Sequence, residues 1–382
     1  MKFNHFVVER PVVTKKVDTG LVVSVIILLG LGLVTLQFTS ADYGLRHWDD
    51  SGYFLKQQIL PAVLGLILLP LIIYIDLDIV RRFMGIILIF TFVFNWLTFS
   101  KVIGLEINGG RRWINLFGFS FQPSEIAKLT IVFFLANLFD KKKDRINDAK
   151  TSIVPALIVL LGMVFTVVKQ NDYATSMIIL GLGLLIFFLA GVSGKWFGAL
   201  LIFAIPFALF FIFLKEYRVE RLIAFLRPEF DVKGINYQID NSKIAISAGG
   251  FFGQGMGAGL EKIKVIPEVH ADCVFAGWAE AMGFLGVIGY FALLGYFAFR
   301  GYKIAIRTND LFRQLLAFGC TTSIVLQSLM NCGVVCGALP ATGIPLPFFS
   351  HGGSSIFMTL VTCGLIINIS RYEKVSEFNY ER

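Results

Sequence analysis

Charge is what this chain has least of. Of its 382 residues only 16% are Asp, Glu, Lys or Arg, against about 25% in an ordinary soluble domain. Hydrophobic types reach 56%, and phenylalanine alone counts 39. A water-soluble fold of this size could not hide that much apolar surface. Soluble, disordered and fibrous classes are therefore excluded. Cysteine is scarce as well. The five are an odd number, lie in or at the edge of apolar segments, and form no CxxC pair. Cys332 and Cys336 share a helix face and read as small packing residues. A cleavable signal peptide is also missing: Gly20 to Ala41 is an uncharged run of 22 residues, longer than a signal core, and reads as an anchor that stays. The net charge of +8 sits in short clusters between apolar blocks, which argues against nucleic acid as a partner.

What is present is a series of apolar blocks, each near the 20 or so residues needed to cross a bilayer. Ten are predicted, near 18–39, 56–75, 83–101, 124–139, 152–168, 173–191, 196–214, 273–299, 314–336 and 353–370. The fold class is an all-α polytopic membrane protein, a single integral membrane domain over 1–382. With the N-terminus inside, the cytoplasmic segments carry 19 Lys and Arg and the short outer ones 7. Both termini are thus expected in the cytoplasm.

Three outer segments stand out. Residues 102–123 include Gly109-Gly110-Arg111-Arg112-Trp113. Residues 215–272 are read as a loop of 58 between spans seven and eight, far beyond ordinary connections. Residues 337–353 are apolar, yet Pro340, Pro345 and Pro347 forbid a regular helix. Irregular backbone near membrane depth is tolerated only against protein or a water-filled cavity, so the three are expected to converge on one outward site.

Ionisable groups near span ends are costly and therefore informative. Five are prominent: Glu125, Lys128, Asp172, Asp272 and Glu280. Each has a structural alternative. Glu125 and Lys128 are three apart and can pair with each other. Asp172 can cap the next span, and Glu280 can bond another helix. Asp272 ends the long loop and opens a span, where it is either an N-cap or a general base. Glu268, His270 and Asp272 alternate, a spacing that would admit a divalent cation such as Mg or Mn. Residues 249–259 hold six glycines in eleven positions, without a Walker lysine or a dinucleotide context. They are read as a flexible hairpin or as backbone closely approaching a bulky polar ligand. Arg111, Arg112, Arg221, Arg227, Lys243, Lys262 and Lys264 would form an outer basic rim for an anion such as a phosphate.

These residues carry a resemblance that runs through nearly the whole chain. Gly110-Arg111-Arg112-Trp113-Ile114 with Gln122-Pro123-Ser124-Glu125 and Lys128, Arg221-Leu222 with Phe225 and Pro228-Glu229, Tyr237-Gln238, Pro267-Glu268-Val269-His270-Ala271-Asp272 with Glu280 and Gly283, and Leu339-Pro340 through Ser350-His351-Gly352-Gly353-Ser354-Ser355 appear in order. The set resembles the SEDS family (shape, elongation, division, sporulation). Leu326-Gln327 before Asn331-Cys332-Gly333 is more similar to FtsW than to RodA. The departures are Asn171 and Ala174 where the family has Pro and Gly, Ala271 and Cys273 around Asp272, and His351 for a tyrosine.

The resemblance implies ten spans and a peptidoglycan glycosyltransferase at the outer face of the cytoplasmic membrane. Lipid II, the undecaprenyl-pyrophosphate-linked disaccharide peptide, would be its substrate. Asp272 would be the base, with Arg111, Arg112, Glu125, Lys128, Asp172, Glu268, His270 and Ser354 as substrate-binding candidates. The implied partners are a class B penicillin-binding transpeptidase and other divisome or elongasome membrane proteins. A lipid II flippase and a non-catalytic scaffold for the transpeptidase are the competing readings. Transporters often carry internal repeats, and no convincing repeat is visible in this sequence.

Overall fold

The structure, a computed structural model, describes residues 16–107, 109–116, 119–227, 236–257 and 260–372. The outermost residues at both termini, the Pro228-Glu229 pair and Ala258-Gly259 lie outside the described residues. The chain is mostly helical. Helices α1 (Thr19–Trp48), α2 (Tyr53–Tyr74), α3 (Leu77–Arg82) and α4 (Met84–Trp96) lead to a small sheet of β1 (Gly104–Ile107), β2 (Gly110–Leu116) and β3 (Phe119–Phe121). Next come α5 (Pro123–Lys141), α6 (Val154–Lys169), α7 (Tyr173–Leu189) and α8 (Gly194–Phe213). The remainder is α9 (Glu216–Leu226), α10 (Tyr237–Ala248), α11 (Val274–Arg307), α12 (Leu311–Val335) and α13 (Gly353–Ile369).

Five of the described helical stretches are long and apolar enough to cross a membrane: α1, α2, Ala149–Lys169, α11 and α12. The apolar residues divide into two populations. Ile131, Ile179, Leu316 and Leu360 on α5, α7, α12 and α13 are fully buried and form the bundle interior. Ile67, Leu71, Ile86 and Ile89 on α2 and α4 are more than 60% exposed. Such a face is unstable in water and suited to hydrocarbon.

The segment expected as a long loop is partly folded. It contains α9, α10 and a 3₁₀ turn at Ile263–Val265. The expected 102–123 loop is an antiparallel sheet in the order β1-β2-β3, with Leu105 opposite Trp113 and Ile114 opposite Phe121. Gly109, at φ +72, makes the hairpin turn.

The glycine run is the clearest correction. Its backbone approaches α11 rather than an open cavity. α11 is broken at Gly283, with φ +62 and ψ −161, and the hairpin takes up the freed backbone groups. Gln254 and Gly255 N–H donate to the carbonyls of Glu280 and Ala281 at 2.9 and 3.0 Å. In return Phe284 and Leu285 N–H donate to Gly250 and Phe251 at 2.9 and 3.2 Å. A Cβ on Gly253 would lie 2.1 Å from the Ala281 oxygen. These glycines are needed for contact between two backbones.

At one end of the bundle, charges clasp the helices together. Asp18 accepts from Arg300 Nε and Nη2 at 3.0 and 2.6 Å, tying α1 to α11. Arg313 of α12 reaches Asp310 at 2.5 Å and Asp78 of α3 at 2.9 Å. Arg81 of α3 pairs with Asp140 of α5. The opposite end holds the sheet, α9, α10 and the proline-rich segment 337–352.

Candidate functional site

Asp272 stands at this opposite end, just before α11. It does not cap the helix: the N-cap position is Cys273, without a side-chain cap bond. Its Oδ1 accepts from Gln238 Nε2 of α10 at 2.9 Å, and its backbone carbonyl accepts from Asn331 Nδ2 of α12 at 2.7 Å. A Cβ placed on Gly343 would be 3.7 Å from Oδ2, so the loop backbone at Gly343 lies beside the carboxylate. Asp272 keeps a rim of accessible surface while protein surrounds it on most sides. Burial raises its pKa above the ordinary carboxylate value, and the charge of Glu268 raises it further, against bonds from Gln238 and Cys273 that lower it.

The loop carrying Gly343 is shared with a second cavity. Arg112, Asp172, Tyr173, Arg218, Arg221 and Pro340 to Thr342 line it. All three irregular segments therefore meet there, from β2, α9 and the proline-rich loop. Arg221 donates to the Ala341 carbonyl at 3.3 Å, two residues from Gly343. Arg218 is buried and lies over the Tyr173 ring at 5.1 Å. Arg112 donates to the Asn171 carbonyl at 2.5 Å, while its Nε is buried without a partner among the described residues. None of these three arginines pairs with a carboxylate among the described residues.

The other expected site residues fall into different places. Asp172 accepts from Gln122 Nε2 at 2.8 Å, Ser124 Oγ at 3.2 Å and Thr175 N–H at 3.3 Å. It caps α7 and lines the arginine cavity at once. Glu125 and Lys128 form the pair expected of residues three apart, at 2.9 Å, and Lys128 Nζ also donates to Gln327 Oε1 at 2.5 Å. Both are buried beside a cavity of about 20 Å³, room for about one water. Arg111 points along the sheet to Glu106 at 3.0 Å, and both are exposed. Glu280 clamps a turn, accepting the N–H groups of Glu261, Lys262 and Ile263 at 3.1, 2.9 and 2.9 Å. Ser354 Oγ is buried and has no partner among the described residues.

The alternation of Glu268, His270 and Asp272 does not gather a metal site. No group of three His, Cys, Asp or Glu side chains converges to hold a metal among the described residues. His270 instead stacks on Phe54 at 3.8 Å, next to Tyr43 and His351. Burial, reinforced by His351, lowers its pKa to about 3, and burial lowers that of His351 to about 4. Both imidazoles are neutral near pH 7.

Sequence reasoning assigned no role to Gln238, Gln327 or Asn331, although all three stand in the motifs. Gln327 and Asn331 are amides four apart inside an apolar helix. That expense was the available signal.

Taken together, the fold and the site define a multi-pass helical membrane protein with a half-buried carboxylate beneath converging loops. Residues 19–375 match the cell cycle protein family of FtsW, RodA and SpoVE, and the chain belongs to that family. It is 33% identical over 364 residues to the probable peptidoglycan glycosyltransferase FtsW of Trichlorobacter lovleyi, covering 95% of this chain and 96% of the relative. It is 33% identical to stage V sporulation protein E of Bacillus subtilis, covering 94% and 99%. Among solved structures it is similar to a chain of a peptidoglycan synthase complex that coordinates polymerization and crosslinking. That chain superposes with TM-score 0.74 at 27% identity, over 94% of this chain and 99% of the other. The rod shape determining protein RodA of Thermus thermophilus gives TM-score 0.70 at 26% identity, over 94% and 98%. The protein is FtsW-like and resides in the cytoplasmic membrane as a multi-pass protein.

Proposed function

We propose that this protein is a peptidoglycan glycosyltransferase that polymerises lipid II at the outer face of the cytoplasmic membrane, with Asp272 as general base. The observation that carries the reading is one loop with Asp272 against Gly343 and, two residues away, an arginine cavity under Ala341. A base and an anion site thus stand two residues apart along the same loop.

Chain growth needs an acceptor sugar hydroxyl to lose its proton while its oxygen bonds to the donor's anomeric carbon. The bond from that carbon to the pyrophosphate oxygen breaks, and the undecaprenyl pyrophosphate leaves with the electron pair. Asp272 takes the proton. Its raised pKa makes it a better proton acceptor than an ordinary surface carboxylate. Arg112, Arg218 and Arg221 bind the pyrophosphate charge, replacing Arg111 and Lys128 in that role. Arg111 is turned toward Glu106, and Lys128 is committed to Glu125 and Gln327. No step is routed through a metal, because the alternating donors do not assemble. The apolar groove of Leu33, Val34, Phe38, Leu55 and Ile59 between α1 and α2 suits a polyprenyl tail.

The orientation follows. We assign ten spans, and the bias of 19 Lys and Arg against 7 in the short outer segments favours the charge-clasped end and both termini in the cytoplasm, with segment 215–272 outside. A class B penicillin-binding transpeptidase is the partner we assign, in keeping with the synthase-complex chain this one is similar to. The broken helix α11 is the feature most like a transporter. In transporters such breaks leave backbone groups facing a substrate cavity, whereas here the hairpin consumes them.

The test is polymerisation of fluorescent lipid II by the purified full-length chain with its transpeptidase. Wild type should build glycan strands. Asp272→Asn should lose about 10²–10⁴-fold in rate while binding lipid II and melting normally. Near-normal polymer from Asp272→Asn would refute the assignment of the base.

A further inference from the structure

α12 turns two side-chain amides toward the loop that passes beside Asp272. Gln327 and Asn331 are four residues apart and only 4% and 2% exposed. Asn331 Nδ2 donates at once to the Asp272 carbonyl at 2.7 Å and to the Ile344 carbonyl at 2.8 Å. One turn deeper, Gln327 Nε2 donates to the Pro345 carbonyl at 3.0 Å, and its oxygen accepts from Lys128. Three backbone carbonyls outside any helix are thus held by two amides on one helix face.

We propose that Asn331 is the positioning residue for Asp272, fixing the carboxylate relative to the 340–347 loop by holding the carbonyls of Asp272 and Ile344 together. The proposal rests on the reading of Asp272 as the base. Asp272 needs such a tie because it caps nothing and joins a long connecting segment to α11. Its side chain is held through Oδ1 by Gln238, which leaves its backbone to be fixed separately. A primary amide carries two N–H donors in one plane. Serine offers one donor and aspartate none, so neither can span both carbonyls.

A second observation points the same way. Asn331 Oδ1 is buried with no partner among the described residues. Leaving a buried acceptor unsatisfied is destabilising, and an apolar residue would avoid it. The contacts of the amide are all on its donor side.

The closing experiment uses the full-length chain with its transpeptidase in lipid nanodiscs, with wild type, Asn331→Asp and Asn331→Ala measured side by side. Asn331→Asp keeps the shape and removes the donors; Asn331→Ala removes them without adding charge. Both should fold and bind fluorescent lipid II, and Asn331→Asp should melt lower than Asn331→Ala because it buries a charge with no cation beside it. Both should lose on the order of 10²-fold in kcat, the scale of a 1 Å misplacement, with KM nearly unchanged. The acidic limb of the rate profile should move to higher pH in Asn331→Asp, since a new carboxylate beside Asp272 holds its proton more tightly. Retained kcat in both variants would overturn the proposal. So would loss of lipid II binding and melting temperature in both, which would mark Asn331 as a folding residue. Inactive wild type would instead refute the glycosyltransferase reading itself.

Discussion

The charges around Asp272 and those that clasp the far end of the bundle are held in opposite ways. At the clasped end three arginines meet anions: Arg300 with Asp18, Arg313 with Asp310 and Asp78, and Arg81 with Asp140. Helices α1, α3, α5, α11 and α12 are joined by these pairs. At the other end Asp272 has no cationic partner, and Arg112, Arg218 and Arg221 have no carboxylate partner among the described residues. Their bonds go to amides, carbonyls and rings. Paired charges hold a fold together and have little left to offer a ligand. Charges held by neutral groups are fixed in place yet keep most of their field for an incoming charge.

The largest effect that would break this comparison concerns Lys128, which follows the clasped pattern although it lies nearer the site. Lys128→Met should strand Glu125 as a buried lone charge, with a penalty of about 3–5 kcal/mol, read as a large fall in melting temperature. Adding Glu125→Gln should restore both stability and polymerisation. A double variant as inactive as the single would return Lys128 to the site. Next is Gly283→Ala. Its Cβ would sit 2.3 Å from the Gly253 nitrogen at a positive φ, a strain of about 1–3 kcal/mol. Faster proteolysis within 249–257 would show the hairpin detaching, and unchanged digestion would mean that the seam tolerates a side chain. Smaller again is Arg313→Met. Its partners Asp78 and Asp310 are 50% and 19% exposed, so water can reach both once the arginine is gone, and the loss should be about 1–2 kcal/mol. Polymerisation per folded molecule should stay within twofold; a larger loss would show that the clasp reaches the site.

The sequence announces the spans more plainly than the site. Apolar blocks such as Leu311–Val335 are visible because the bilayer demands them over a fixed length. Helix α9 carries the two-faced pattern of a surface helix, but it is too short to cross a bilayer and its position within a long connection reads as loop. The glycines of 249–257 read as a flexible hairpin or as backbone approaching a ligand. What they approach is a backbone 30 residues away in the chain, and no local pattern specifies that. Asp272 was legible from its place between a long connection and a span. Its supports were not, because Gln238 and Asn331 come from α10 and α12, and only packing brings them to one point. Likewise, two arginines of α9 join Arg112 across more than a hundred residues.

The smallest effect per group separates the two ends by acid. His270 and His351 are neutral in the folded protein, with pKa values of about 3 and about 4 against 6.5 for the free side chain. A lowered histidine pKa means that the unfolded chain binds more protons, so the stability each group supports is present above pH 6.5 and is lost as pH falls toward the folded value. By pH 5.5 the loss should be on the order of 1 kcal/mol for each. The shift at Asp272 has the opposite sign. Its raised pKa favours the protonated folded form, so acid removes the base and ends catalysis without weakening the fold there. Hydrogen exchange at pH 5.5 and 7.5 distinguishes the two effects. Protection should fall around Tyr43, Phe54, His270 and His351, which pack as one aromatic group. It should hold at Asp18, Arg300 and Arg313. His351→Tyr removes one of the two titrating rings and should recover about half of the lost protection, while the acidic limb of the polymerisation rate stays with Asp272. Equal loosening at both ends would show that the histidines do not set the acid response, and that the contrast between the ends does not extend to pH.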